Sequence, residues 1–203
     1  DKYGPIWVNT QFNHPREITE EARRACERLL KAGVPVNNQT VLLKGVNDHP
    51  EILRRLNTQL LRAKVRPYYL FQCDQVRGLE HFRTRLSKGV EIMEALRGHT
   101  SGLAIPTFVV DVPGGGGKIP LMPNYILTMG ERRTILRNYE GIIVSYEEPR
   151  EDGRPSAQPE TEGLPPRQDV YRLMTGEVKA LIPAGNERMA RRRRRCESAS
   201  PTT

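Results

Sequence analysis

The residues best suited to chemistry form one short segment, Asp111-Val-Pro-Gly-Gly-Gly-Gly-Lys118. Four consecutive glycines permit backbone conformations closed to other residues, and they let main-chain N–H groups approach a ligand. The segment is neither a Walker A loop nor a GxGxxG loop, because Ile119 and Pro120 stand where those motifs need other residues. Lys118 therefore has two interpretations. It is either a solvated surface lysine or an amine on a flexible tether that forms a Schiff base with a carbonyl.

Two carboxylates, Asp74 and Asp111, each follow a strongly apolar run. We expect them to form a buried pair, and burial of a carboxylate is costly unless it meets a cation. Such a pair could bind one ammonium group. Alternatively, each aspartate caps the loop after its strand or pairs with a structural arginine, since Asx turns after strands are common. The residues alone leave both interpretations open.

Histidine and cysteine are not spaced for a metal site. The four histidines are too scattered for an HExxH set, and His14, at a strand end, is the one placed to face a ligand. The cysteines are Cys26, Cys73 and Cys196, with no CxxC or CxxxCxxC motif, so the chain has no cysteine motif for zinc or an iron–sulfur cluster. Their odd number and wide spacing argue against a disulfide framework and indicate a reducing, cytoplasmic compartment.

The elements that must position these residues alternate over the first 113 positions. Short runs rich in Val, Ile, Tyr and Phe predict four buried strands: Pro5–Phe12, Val36–Leu43, Val65–Gln72 and Ile105–Val112. Between them, apolar residues at helical spacing predict three helices. Thr19 caps the first, which ends at Gly33. The second follows Asp48, and the third ends before Gly98.

Alternation of strands and helices predicts an α/β fold with a parallel sheet and right-handed crossovers. Four strands and three helices make about half of a (β/α) barrel. Half a barrel would leave two long edges unpaired, and the chain lacks an initiator Met, so we expect an N-terminal partner segment. The expectation is the second half of a partial TIM barrel over residues 1–118.

The pattern changes after Gly117. Short strands separated by turns predict a small antiparallel β appendage over residues 119–149, with the Gly-rich loop at its start. The strands are Tyr125–Met129, Thr134–Asn138 and Ile142–Tyr146. Residues 147–166 are rich in Pro, Glu, Gly and Arg, so 150–203 are expected to be a linker and C-terminal extension.

The net charge of +8 is concentrated near the C-terminus, where residues 186–203 contain six arginines and two glutamates. A run of like charges predicts a disordered, solvated tail. The tail has no aromatic residue to stack on a base, so nucleic-acid binding is not expected as the main function. No segment approaches the roughly 18 apolar residues that a membrane span needs, so no membrane partner is expected.

Several long segments of this sequence resemble the lysine 2,3-aminomutase family. They are residues 13–48, 65–84, 97–125 and 136–149, and the resemblance covers roughly residues 5–149. The stretch RGHTSGLAIPTFVVDVPGGGGKIPLMPNY is the most specific, because it joins a strand-end aspartate, four glycines and a lysine at fixed spacing.

The resemblance implies a radical S-adenosylmethionine enzyme of the partial TIM-barrel type that also uses pyridoxal 5′-phosphate. In that family a reduced [4Fe–4S] cluster cleaves S-adenosylmethionine to a 5′-deoxyadenosyl radical, and the amino group of L-lysine migrates from C2 to C3 to give β-lysine. The resemblance implies that Lys118 holds pyridoxal phosphate as a Schiff base. It implies that Asp74 and Asp111 bind the ε-ammonium of lysine, and that Gln39 and Gln11 contact S-adenosylmethionine. Relatives often carry His at the position of Gln11.

Two departures from the family pattern lead to further expectations. The CxxxCxxC cluster motif is absent, so we expect the cluster cysteines upstream and this chain to be inactive by itself. Some relatives bind zinc through one Cys after the GVND stretch and a Cys-rich segment after YSEP. Here position 49 is His and residues 147–166 contain no Cys, so no zinc site is expected.

The alternatives are an aminomutase of another amino acid or of a protein lysine, or a truncated remnant without activity. A glutamate enzyme should not keep two carboxylates facing the end of its substrate's side chain, because like charges repel strongly at low dielectric. We therefore favour L-lysine, with a reductant for the cluster and a homo-oligomeric assembly as further partners.

Overall fold

A computed structural model describes residues 4–112, 117–130 and 132–149. Nearly all of the described residues belong to one compact unit, Asp1–Asp111 with Lys118–Arg150. Within the described residues, no helix is both long and apolar enough to cross a membrane. The expectations for the linker, for the basic tail 186–203 and for Cys196 lie outside the described residues.

Five strands form the larger sheet. They are β1 (Val8–Thr10), β2 (Val36–Leu42), β3 (Arg66–Gln72), β4 (Thr107–Val112) and β5 (Gly117–Pro120), and they lie side by side in that order. Strands β1 to β4 pair in parallel, which confirms the predicted parallel sheet. β1 is three residues long and shorter than predicted; its pairing runs from Val8 opposite Val36 to Thr10 opposite Asn38.

Strand β5 was not predicted, because Gly117 and Pro120 at its ends are typical of turns. It runs back along β4. Lys118 lies beside Asp111, and farther along the chain the N–H of Leu121 donates to the carbonyl of Phe108 at 2.9 Å. This return is what places a lysine next to an aspartate seven positions earlier.

Three helices connect the parallel strands, as predicted: α1 (Glu20–Lys31), α2 (Pro50–Arg62) and α3 (Leu86–Leu96). The hydroxyl of Thr19 caps α1 by accepting from the N–H of Ala22 at 3.2 Å. Gly33 follows this helix with a φ of 75°, a left-handed conformation that glycine adopts without strain. Single turns of 3-10 helix occur at Pro15–Glu17, Glu80–Phe82 and Gly102–Ala104.

The hydrophobic core lies between the helices and one face of the larger sheet. Leucines of α2 and residues of α3 pack there against side chains from β2, β3 and β4. The fully buried members include Leu42, Leu56, Leu60, Leu70, Ile92, Met93 and Phe108. Burial of this apolar stripe stabilises the helices far more than their intrinsic propensity does.

Gly89 lets helix α3 approach strand β4. A Cβ at this position would lie 2.1 Å from Cζ of Phe108, whose side chain is fully buried. Alanine favours a helix over glycine by about 1 kcal/mol, but overpacking a core costs about 1–3 kcal/mol. We expect Gly89→Ala to lower the free energy of unfolding in urea. Gly102→Ala is the control, because a Cβ there meets nothing within 4 Å. Equal stability of both variants would contradict the packing.

A smaller antiparallel sheet contains β6 (Ile126–Met129), β7 (Arg133–Arg137) and β8 (Ile143–Glu147), close to the three strands predicted. The guanidinium of Arg137 pairs with Glu94 of α3, and the ring of Tyr139 fills the space beside Gly98. These contacts join the sheet to the end of α3. The domain boundaries at 118 and 149 stay predictions.

Candidate active site

The alternation of side chains along the parallel strands defines the face of the sheet opposite the helices, here called the open face. Leu70 and Phe108 are register partners and pack in the core, so their neighbours Phe71 and Val109, also partners, point to the open face. Asp111 lies two positions after Val109 and shares this face. Phe71 and Asp111 are half-buried on this face, whereas Val109 is buried at 2% exposure.

Gln39 lies on the same face, because it alternates along β2 with the buried residues Asn38 and Thr40, and a bulge in β3 sets Tyr69 opposite it. The register passes from Asn38 opposite Pro67 to Gln39 opposite Tyr69, which leaves Tyr68 unpaired. Beyond the bulge, Gln39 lies in one row with Tyr69, and Phe71 lies in the next row toward the carboxyl ends of the strands.

Lys118 and Asp111 form the clearest chemical contact of the open face. Nζ of Lys118 lies 2.8 Å from Oδ2 of Asp111, within hydrogen-bond distance, and 5.1 Å from the centre of the Phe71 ring. The side chains are 49% and 36% exposed, so the amine remains accessible to a small molecule. Phe71 lies within the predicted strand Val65–Gln72. In the structure it also contacts the lysine.

Asp74 follows the end of β3, two residues after Gln72. It lies three residues after Phe71, while Asp111 lies within β4, two residues after the register partner Val109. The two carboxylates therefore stand near the same edge of the sheet, one after β3 and one on the neighbouring strand β4. The carboxylate of Asp74 also affects the adjacent thiol: burial raises the pKa of Cys73, and the negative charge of Asp74 raises it further.

The expected burial of the aspartates is wrong. Asp74 is exposed and the side chain of Asp111 is 36% exposed, because both stand at the sheet edge. Exposed ion pairs stabilise proteins by only about 0–1 kcal/mol. Desolvation therefore does not force these carboxylates to take a cation, and the pairing of Asp111 with an ammonium depends on geometry.

The two glutamines proposed from the resemblance differ in position and in exposure. Gln39 lies on the open face and is half-buried, whereas Gln11 follows the end of β1 and is exposed. A contact of either side chain with S-adenosylmethionine stays a prediction.

A buried polar network, which the sequence did not reveal, supports the ends of β1 and β2. The side chain of Asn38 is 1% exposed, donates to the carbonyl of Phe12 at 3.0 Å and accepts from the backbone N–H of Phe12 at 2.7 Å. Asn47, fully buried, donates to the carbonyls of Asn13 and Val41 at 2.8 Å each. The sequence feature that could have revealed this network is an asparagine at a buried position of a strand, because a buried amide needs hydrogen-bond partners.

Comparison with known proteins decides the family. A family model described as Lysine-2,3-aminomutase matches residues 93–203. The chain is 53% identical over 200 residues to the L-lysine 2,3-aminomutase of Methanococcus maripaludis, and this alignment covers 94% of the chain. The chain belongs to the lysine 2,3-aminomutase family. This confirms the resemblance.

The match to the lysine 2,3-aminomutase family covers part of each relative. The chain spans about half the length of the curated relatives it matches, 46% of the Methanococcus maripaludis protein. The L-lysine 2,3-aminomutase of Bacillus subtilis is 58% identical over 148 residues, 73% of this chain and 31% of that protein. The glutamate 2,3-aminomutase of Clostridioides difficile is 51% identical over 147 residues, 72% of this chain and 35% of that protein.

Among solved structures, a radical SAM methyltransferase from Sphaerobacter thermophilus is similar to 51% of this chain and 33% of its own, with a TM-score of 0.41 and 19% identity. That similarity is too weak to define the fold.

Two histidines of this aminomutase-family chain have structural roles. Nδ1 of His14 accepts from the N–H of Arg16, and Nδ1 of His49 accepts from the N–H of Glu51, each at 3.2 Å. In both places a proline follows the histidine at the first helical position. His14, proposed to face a ligand, therefore caps a 3-10 helix.

Zinc is expected to be absent from the whole protein. Nδ1 of His49 is engaged in capping α2, and residues 147–166 contain no cysteine. Metal analysis of the purified protein should show iron without stoichiometric zinc. One zinc per chain that survives chelation would contradict this prediction and would make His49, through its free Nε2, the first candidate ligand.

Proposed function

We propose that this chain is the substrate-binding and cofactor-binding part of a lysine 2,3-aminomutase, which moves the α-amino group of L-lysine from C2 to C3. One observation carries the proposal. On the open face, the carboxylate of Asp111 binds a primary alkylammonium, that of Lys118, at 2.8 Å. The ε-ammonium of a substrate lysine is chemically the same group.

The residues of the open face fit pyridoxal 5′-phosphate. Lys118 supplies a primary amine that is 49% exposed, and it lies at the start of a strand that follows the Gly-rich segment. When bound, the cofactor supplies a carbonyl that holds an amino group and stabilises an adjacent radical. Lys118 would attach it, and Phe71 lies beside the same amine.

Attachment of the cofactor to Lys118 would remove the ion-pair partner of Asp111. A lysine Nζ that condenses with a carbonyl to give a neutral C=N bond gives up all three ammonium protons, two in the water released and one to solvent, and so loses its positive charge. The Asp111 carboxylate then lacks the cation that it contacts in this structure and is available to another ammonium. Asp74, just beyond the end of the neighbouring strand β3, would add a second negative charge that favours a cationic substrate end.

S-adenosylmethionine and a [4Fe–4S] cluster complete the proposed chemistry. Gln39, half-buried on the open face, is the better placed of the two candidate contacts to S-adenosylmethionine, and Gln11 is the second. The 203 residues contain no CxxxCxxC motif, so the cluster ligands of the proposed enzyme are not among them.

We infer that β1 to β4 and their helices are the second half of a (β/α) barrel. The four strands pair in sequence order without a reversal, whereas a doubly wound sheet reverses its order at a switch point. In a barrel the catalytic residues stand at the carboxyl ends of the strands, where Asp74 and Asp111 lie. We further propose a homo-oligomeric enzyme that receives electrons from a separate reductant in the cytoplasm.

A glutamate 2,3-aminomutase is the second candidate, because that relative is nearly as similar to the chain as the lysine enzymes. The two carboxylates favour the lysine enzyme. The side-chain carboxylate of glutamate would approach Asp74 and Asp111, and the like charges would repel one another.

A substrate panel tests the proposal with the whole protein. With S-adenosylmethionine, pyridoxal phosphate and a reductant present, L-lysine is expected to be converted at least tenfold faster than L-glutamate or L-norleucine. Norleucine has a side chain of similar length without the ammonium. Preference for glutamate would support the second candidate, and no turnover of any amino acid by an iron-loaded protein would support an inactive remnant.

A further inference from the structure

A second candidate site lies apart from the contact between Lys118 and Asp111. A cleft of about 340 Å³ opens between the segment after β2 and the start of α3. We call it the basic cleft, because Lys44, Arg83, Arg85 and Lys88 line it. It stands at the carboxyl ends of β2 and β3, the edge of the sheet where phosphate sites of (β/α) barrels are found.

The basic cleft has an excess of positive charge. Four cationic side chains line it against two carboxylates, Asp48 and Glu91; Glu91 pairs with Lys88 at 2.9 Å, and Asp48 accepts from the N–H of Gly45 at 2.9 Å. Lys44, Arg83 and Arg85 remain, and none of the three has a carboxylate within salt-bridge distance among the described residues.

Arg83 contributes a donor that needs an acceptor. Its Nε–H is buried and has no hydrogen-bond partner in the described part of the chain. A buried N–H is nearly always paired in folded proteins, and a guanidinium pairs best with a planar or tetrahedral oxyanion. Arg83 lines the basic cleft, and a rotation of its guanidinium toward the cleft would let a bound anion accept from this donor.

Helix α3 begins at the same cleft. Arg85, its N-cap residue, makes no side-chain capping hydrogen bond, and the first turn contains no acidic residue. The first N–H groups of a helix lack partners within the helix, and the helix dipole favours an anion there. Ser87, which also lines the cleft, adds a neutral hydroxyl donor.

We propose that the basic cleft binds an oxyanion of the phosphate class, with Arg83, Arg85, Lys44 and the N-terminus of α3 as its ligands. Two sources share this chemistry: the phosphate group of pyridoxal phosphate, or a separate phosphorylated small molecule. The proposal concerns only residues of the cleft and does not depend on the amino migration.

Titration of the protein with inorganic phosphate, followed by calorimetry or by 31P NMR, tests the proposal. The wild type should bind phosphate saturably. Arg83→Gln removes one charged hydrogen bond and should raise the Kd by about tenfold or more. Lys44→Gln, at an exposed position that does not threaten folding, should raise it severalfold. Arg62→Gln, which removes the same charge at the exposed end of α2, should leave it unchanged.

The outcomes separate the two sources. Displacement of bound phosphate by pyridoxal 5′-phosphate, but not by pyridoxal, supports the proposal and assigns the cleft to the cofactor. Failure of pyridoxal phosphate to compete at a site that still depends on Arg83 supports a separate phosphorylated ligand. Absence of saturable phosphate binding, or equal Kd values for Arg83→Gln and Arg62→Gln, would overturn the proposal.

Discussion

Replacing Lys118 with alanine is expected to abolish covalent attachment of pyridoxal 5′-phosphate to the whole protein and to leave the fold unchanged. The side chain is 49% exposed, and its ion pair with Asp111 lies at the surface, where such pairs contribute about 0–1 kcal/mol. Borohydride reduction of the wild-type holoenzyme, followed by peptide mass spectrometry, should place the pyridoxyl group on Lys118.

The chain offers a matched control for this experiment. Lys31 pairs with Glu27 at 2.8 Å, the same distance as in the Lys118–Asp111 pair, and it is exposed on α1. Lys31→Ala should retain the cofactor and match Lys118→Ala in Tm. A pyridoxyl group on another lysine, or retention of reducible cofactor in Lys118→Ala, would refute the assignment.

Replacing Asp111 with asparagine is expected to reduce kcat/KM for L-lysine by about ten- to a hundredfold. A hydrogen bond between charged groups contributes about 1.5–3 kcal/mol, and an amide keeps the shape of the side chain while losing the charge. Asp111 also contacts Lys118. Loss of the carboxylate would therefore lower turnover either by weakening substrate binding or by disturbing the lysine that holds the cofactor.

L-norleucine separates these two roles of Asp111. If the carboxylate binds the ε-ammonium, the slow turnover of norleucine should change less than threefold in Asp111→Asn, and pyridoxal phosphate should still attach to Lys118. If norleucine turnover falls as far as lysine turnover, Asp111 serves Lys118, and the proposed recognition of the substrate ammonium is wrong.

Most of the fold could be predicted because its signals are local. Runs of β-branched and aromatic residues predict the buried strands β2, β3 and β4. A threonine before residues of helical apolar spacing predicts the start of α1. Strand β5 escaped prediction because it is four residues long and bounded by Gly117 and Pro120, which are typical of turns. Its pairing depends on β4, and a local pattern does not report a distant partner.

The sequence was sufficient to predict which residues form the candidate site, but not how they are arranged. The sequence indicated that Asp111 and Lys118 matter, but their contact arises because β5 runs back along β4. The burial of Asp74 and Asp111 was predicted wrongly, because apolar residues before a strand end do not show whether that end is covered. The capping by His14 and His49 was missed, although proline at the first helical position was visible in both.

The position of the migrating nitrogen tests the central claim most directly. The whole protein, with cluster, S-adenosylmethionine and pyridoxal phosphate, should be incubated with L-lysine carrying 15N at the α-amino group and 13C at C2 and C3, and the product followed by NMR. We expect the 15N–13C coupling to move from C2 to C3, with the ε-nitrogen unlabelled. Product in which 15N stays on C2, or loss of the label to solvent ammonia, would contradict a 2,3-aminomutase.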